Sequence, residues 1–502
     1  MWRPIRFLWP EIAWSNARRR LLQGATAGVL TQSLKPISAT ADESAKLPPT
    51  WTSLYPEQNI WAYADRTSVI AGESFAVMLS TAPRLPVIEG RLEIFPILNE
   101  HAREKEPIWR SPTLEVRYHP IGPTAASIGP AWPVALPHIP TSGWAPGLYT
   151  ADFKFLKTSF GDRDLFQIVV RNSKPSGDIL LKLGTNTYQA YNEWGGHSLY
   201  PLGDRPEGAM VSFDRPNLPA FLEYDFFLAT FLESYASKRG LRIDYCTDFD
   251  FHADSGLAEH YRLLATSAHD EYWTKEMFDA VEKRIFKQGG NTIFYGANTA
   301  YWQARFADVN RPPDAPQQGR QIVCYKSPND PIAQRSDDPA LYVTSRFRDD
   351  ARRPESMLTG VAYQSYFSPQ QGERRFSYRV PSVDGPLFDG TGWRPGQAVA
   401  DVVGYEWDCR DPDADGRRLY DPARSRIALL PEDRLHVLFE GQPIDVGGRQ
   451  GHAEAVMFHS DSGATVFSSG SIRWAWGLSK PGFETAAFRR FNENLLDLML
   501  KR

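Results

Sequence analysis

The spacing of apolar residues changes character at Lys174-Pro175-Ser176-Gly177. Before that point, from about Trp51 to Asn172, apolar residues alternate in short runs broken by proline and glycine: SVIAGESFAVMLST, RLEIFPIL, LEVRYHPI, LYTADFKF and DLFQIVVRN. Period-two alternation marks half-buried strands, and turn residues at this spacing predict a β-sandwich over residues 50–173, immunoglobulin-like but without a disulfide. After that point the runs DILLKLG, LRIDYCT, YRLLATS and NTIFYG read as strands buried on both faces. Helical patterns separate them. EYDFFLATFLESYASKRG ends at Gly240, and a second helix runs from Thr274 to Gln288 with Met277, Phe278, Val281 and Ile285 on one face. Thr274 suits its N-cap and Gly289-Gly290 its stop. Strand, helix, strand, helix, strand implies right-handed crossovers and an open parallel α/β sheet over residues 174–502.

A chain of 502 residues also exceeds one ordinary core, in keeping with two domains. Residues 305–395, rich in Pro, Asp, Arg and Gln, read as loops and β-structure inserted into the second domain. Strand patterns return in VADVVGYEWD, RLHVLFEG and AEAVMFHSDSGATVFSSGS, and ETAAFRRFNENLLDLML forms a closing helix.

Residues 1–41 have the order of an export signal. Arg18-Arg19-Arg20-Leu21-Leu22 fits a twin-arginine pattern, LLQGATAGVL comes next, and Ala39-Thr40-Ala41 precedes Asp42 as a cleavage site. The expectation is a periplasmic or secreted protein. A basic amphipathic helix on a cytoplasmic protein is the alternative. The apolar stretch is too short and too polar to remain as a membrane span. A net charge of −4 gives no electrostatic footprint for nucleic acid.

Ligands of open α/β sheets bind beyond the carboxyl ends of the strands. Three polar, aromatic clusters fall on that rim. Thr185-Asn186-Thr187-Tyr188-Gln189-Ala190-Tyr191-Asn192-Glu193-Trp194-Gly195-Gly196 comes after DILLKLG, His269-Asp270-Glu271 after YRLLATS, and Ala297-Asn298-Thr299 after NTIFYG. Taken singly, each has a structural explanation. Acids cap helix starts, a buried asparagine ties down backbone, and Tyr149 alternates with Ala151, Phe153 and Phe155 as a sandwich-core residue would. No GxSxG elbow, GxGxxG loop, P-loop or HExxH occurs. The three cysteines, Cys246, Cys324 and Cys409, form no CxxC pair. The remaining groups are carboxylates, histidine, phenols and an amide, which suit a hard, Lewis-acidic ion better than zinc.

The segments from Asn186 to Gly196, His269 to Trp273, Gly296 to Trp302 and Gly404 to Glu406 resemble the large (β) subunit of N,N-dimethylformamidase, C-terminal part, in order and spacing. The likeness runs from about residue 50 to the end. It implies a parallel-sheet domain of the flavodoxin or glutamine-amidotransferase kind and a mononuclear iron, Fe(III), held by Tyr149, Tyr191 and Glu271. It also implies catalytic or supporting roles for His269, Asn298 and Glu406, and hydrolysis of a small amide to a carboxylate and an amine. The family's longer members carry a further N-terminal domain, for which this chain has no room, and the characterised enzyme works with a small partner subunit. Substrate identity and oligomeric state, a homo-oligomer included, stay open. Two rival readings also stay open. One is a metal-free glycoside hydrolase using paired carboxylates among Asp270, Glu271 and Glu406. The other is an exported, non-catalytic protein that binds a carbohydrate or peptide.

Overall fold

The computed structural model describes residues 58–98, 106–157, 161–175, 177–201, 207–217, 223–307, 319–334, 338, 342–367, 374–410 and 434–501. The expected export signal lies outside them. The N-terminal part is built from two sheets. Ile60–Ala64, Ser74–Thr81 and Val134–Pro140 pair antiparallel in one. The second runs through Ser68–Ile70, Gln167–Arg171, Gly147–Phe155, Val87–Pro96 and Trp109–Arg110 in that spatial order. Ile60, Phe75, Val77 and Leu79 of the first sheet and Leu92, Ile94, Phe153 and Ile168 of the second are buried in one shared core. The stretch SVIAGESFAVMLST is therefore two strands, as its pattern predicts. They belong to different sheets, because the chain turns at Gly72 with φ 97°.

In the second part, five strands run parallel: β1 (Ile179–Lys182), β2 (Ile243–Cys246), β3 (Leu263–Thr266), β4 (Asn291–Phe294) and β5 (Thr465–Ser468). Their spatial order is β2-β1-β3-β4-β5, so the winding reverses between β1 and β3. Every residue of β1 and β3 is buried, which accounts for the apolar residues that lead up to Lys182 and Thr266 at their ends. Beyond β5 the same sheet continues antiparallel through Ala453–His459, Leu435–Gly441, Phe376–Arg379 and Ala398–Val403. The sequence patterns predict most of these strands but not their addition to the parallel sheet. The chain is thus mixed α/β with several sheets.

The helices of this part include α1 (Thr185–Ala190), α2 (Asp225–Arg239), α3 (Asp248–Ala253), α4 (Lys275–Phe286) and α5 (Ala486–Leu500). α2 stops at Gly240, which takes a left-handed φ of 65°. α4 begins where Thr274 accepts a hydrogen bond from the Met277 amide, and Met277, Phe278, Val281 and Ile285 are buried, as expected. Part of the inserted region makes a small sheet. Trp302–Ala307 lies parallel to Tyr272–Thr274 and antiparallel to Gln321–Val323. Among the described residues no helix is long and apolar enough to cross a membrane.

Candidate active site

The carboxyl ends of the five parallel strands stand in register, Lys182 beside Cys246 and Thr266, Thr266 beside Phe294, and Phe294 beside Ser468. The segment after each strand is therefore delivered to one rim. Two glycines allow those segments to close on each other. A Cβ on Gly184 would sit 2.5 Å from the His269 carbonyl oxygen, and one on Gly296 would sit 2.2 Å from that of Ala268. Only glycine permits backbones this close. The segment 404–408 reaches the same rim by crossing the end of β5, where the Asp408 amide donates to Gly470 and the Arg473 amide to Gly404.

Three buried polar anchors set the His269-Asp270-Glu271 turn. The Glu271 amide donates to Thr187 Oγ1 at 2.9 Å, which ties the turn to α1. Asp225, at the start of α2, accepts from Ser267 Oγ at 2.7 Å and the Ala268 amide at 2.8 Å, and also from the Tyr188 hydroxyl. The third anchor is a fully buried cation. Lys182, the last residue of β1, donates to Asp248 and, at 2.9 Å, to Asp270. Burial opposes its charge, but the two carboxylates outweigh that and hold its pKa above the ordinary lysine value. Asp270, which resembles a helix cap in sequence, is thus the counter-ion of a core lysine.

On this frame Glu271 is fully buried and faces two phenols. Tyr191 donates to its Oε2 at 2.7 Å, and Tyr200 donates to its Oε1. The two phenol rings lie 4.7 Å apart. Burial, and then the Glu271 charge, push the Tyr191 hydroxyl well above the usual tyrosine pKa. His269 stands behind this trio, with Nε2 3.6 Å from Glu271 Oε2 and 3.6 Å from Glu406 Oε2. Burial alone would lower its pKa, but the flanking carboxylates reverse that and raise it to about 9. Asn298 Nδ2 donates to Glu406 Oε2 at 2.9 Å, and its own amide donates to Asp408 at 2.8 Å. That contact fixes Asn298 at φ 57°, a conformation asparagine tolerates better than most residues.

Five of the six residues singled out by sequence thus come together: Tyr191, His269, Glu271, Asn298 and Glu406. Tyr149 does not join them. Its hydroxyl donates to the Ala145 carbonyl at 2.6 Å, and its ring packs on Trp144, 5.0 Å between centroids, in the sandwich core. The alternation of GLYTADFKF correctly marks it as a core residue. The second phenol on Glu271 is Tyr200, nine positions after Tyr191 in the segment His197-Ser198-Leu199-Tyr200. No periodicity singles Tyr200 out, because it lies in an irregular loop.

The donor set is chemically uniform: two phenol oxygens and a carboxylate, without sulfur, a combination suited to a hard ion such as ferric iron. His269 Nε2 and Asn298 Oδ1 are buried without a hydrogen-bond partner among the described residues. Buried polar atoms are normally paired, so Asn298 Oδ1 has room for a polar ligand, and His269 Nε2, held only at 3.6 Å by Glu271 and Glu406, can also turn to one.

A sequence model of the family described as N,N-dimethylformamidase beta subunit-like, C-terminal, matches residues 96–487, most of the chain. No curated protein matches it.

Proposed function

Because the chain belongs to the N,N-dimethylformamidase beta subunit-like, C-terminal family, we propose that it is a hydrolase that cleaves the C–N bond of a small amide or formamide, with one ferric ion as cofactor. The observation that carries this reading is the engagement of both oxygens of buried Glu271 by two different tyrosines, Tyr191 and Tyr200. The same pairing weighs against a glycosidase nucleophile, which needs a free carboxylate oxygen.

Tyr191, Tyr200 and Glu271 would hold the ion, and when bound it supplies Lewis acidity towards an amide carbonyl and water. The chain's own residues handle protons and position. Glu406 Oε2 accepts a proton from the attacking water while Asn298 Nδ2 keeps that carboxylate oriented. His269 Nε2, 3.6 Å from Glu406 Oε2, passes a proton to the departing nitrogen. The second N–H of the Asn298 amide donates to the carbonyl oxygen as it gains charge. One water and one amide become one carboxylate and one ammonium ion.

We further read residues 50–173 as an immunoglobulin-like sandwich and 174–502 as a catalytic domain with an insertion at 305–395. The strand order β2-β1-β3-β4-β5 supports the flavodoxin or glutamine-amidotransferase kind, with the site beside the reversal between β1 and β3. Residues 1–41 are proposed to direct twin-arginine export, and a small partner subunit is proposed from the beta-subunit description. The test is amine release from N,N-dimethylformamide, simpler formamides and longer amides, before and after iron chelation. Chelator-sensitive release from at least one amide is expected. Turnover unaffected by complete iron removal would sink the reading.

A further inference from the structure

The two phenols on Glu271 have different surroundings. Tyr191 faces His269, with 5.3 Å between ring centroids. Tyr200 is flanked by Trp302 of the small sheet and by Lys326, which follows the sheet's strand Gln321–Val323 in the insertion. The indole Nε1 of Trp302 donates to the Tyr200 phenolic oxygen at 3.2 Å. The ammonium of Lys326 stands 3.3 Å from the centre of the Tyr200 ring. That ammonium is fixed in place: it donates to the carbonyl of Leu199, the residue before Tyr200, and lies 5.2 Å from the Trp302 ring. Lys326 itself has a left-handed φ of 55°, a costly conformation for lysine that the fold imposes just beyond the strand Gln321–Val323.

We propose that Lys326 and Trp302 are positioning residues that lower the electron donation of the Tyr200 phenol to the metal. This rests on the iron reading above. A cation on the face of an aromatic ring attracts its π electrons. A hydrogen bond to the phenolic oxygen withdraws charge from that atom in the same direction. Partners that act on a metal's ligands tune the metal through them. Tyr200 therefore keeps more of its electron density than it would without these two partners, and the ion stays more electron-poor. The insertion, which sequence marks only as a Pro- and Asp-rich tract, acquires a defined task in setting the strength of the Lewis acid.

The test is spectroscopic and needs no turnover. Wild-type, Lys326→Met, Lys326→Arg and Trp302→Phe proteins are loaded with ferric iron, iron per chain is measured, and visible spectra are recorded at one pH. Circular dichroism checks that each variant is folded. We expect equal iron in all four. The phenol-to-iron absorption maximum moves to longer wavelength in Lys326→Met and in Trp302→Phe, because losing the cation or the donated hydrogen bond raises the energy of the Tyr200 electrons. Lys326→Arg keeps the wild-type maximum. An unmoved maximum in both Lys326→Met and Trp302→Phe, with iron retained, overturns this proposal and leaves the iron reading standing. A wild-type protein that takes up no iron and stays colourless overturns both.

Discussion

Tyr200 donates its phenolic hydrogen to Oε1 of Glu271, a contact that spans 71 positions of sequence. Tyr191 holds the other oxygen of the same carboxylate at 2.7 Å. If this trio holds the reactive centre, Tyr200→Phe lowers amine release by at least about 100-fold, the upper end of what even the outer partners of a metal site contribute. Tyr149→Phe loses one hydrogen bond in the sandwich core, costs about 1 kcal/mol of stability and leaves turnover intact. Parallel assays decide between the two tyrosines, and the reverse ranking would return the third ligand to Tyr149.

Glu406 and Asn298 are assigned to chemistry rather than to holding the ion. Glu406→Gln is expected to lower kcat by about 10²–10⁴-fold, the usual range for a lost general acid–base group, with iron content unchanged. Asn298→Ala removes the Glu406 contact at 2.9 Å and is expected to lower kcat in the same experiment. Wild-type kcat in Glu406→Gln would remove that residue from the mechanism.

Lys182 underlies the site without touching Tyr191 or Tyr200 in any described contact. Replacing it with methionine keeps the volume but leaves Asp248 and Asp270 buried without their shared cation. Breaking such a cluster typically costs about 3–5 kcal/mol. Urea unfolding of Lys182→Met measures it. A loss below about 1 kcal/mol would mean that the two acids find other partners or protonate cheaply.

Glu454 gives a pH-dependent signature away from the site. Burial alone would raise its pKa, but His452 and Arg410 outweigh that and lower it from the ordinary 4.5 to about 2. A carboxyl with a lower pKa in the folded state stabilises the fold above its unfolded value. That contribution is lost as pH falls from 4.5 to about 2. The shift corresponds to about 3 kcal/mol. Glu454→Gln is therefore less stable than wild type at pH 7, and the difference narrows across that acid window. A constant difference from neutral pH to pH 2 would contradict the assignment.

Much of this arrangement is legible in sequence. Apolar runs and caps locate β1, β3, β4 and α4, the rule that ligands gather at strand carboxyl ends selects the three segments that carry Tyr191, His269, Glu271 and Asn298, and the family resemblance picks those residues out of them. Glu406 lies more than a hundred residues downstream and reaches the rim only because its segment crosses the end of β5, so its place comes from family motifs. Tyr200 and Lys326 sit in irregular backbone, where no period marks one face, and their roles depend on tertiary contacts alone. Lys182 is hidden for another reason. It ends an apolar strand, where a charge reads as the strand's exit to solvent, and only Asp248 and Asp270, from two other segments, explain its burial. For Tyr149, local alternation predicts the buried place in the sandwich core that the structure gives it.

The central claim is that Tyr191, Tyr200 and Glu271 form one iron site. Its most direct test is metal analysis of the purified chain together with a visible spectrum, for wild type and Tyr200→Phe. The account predicts about one iron per wild-type chain with a phenol-to-iron absorption band, and a large loss of both in Tyr200→Phe. A wild-type chain that stays colourless and iron-free after loading with ferric iron, or a Tyr200→Phe chain with unchanged iron and spectrum, would contradict it.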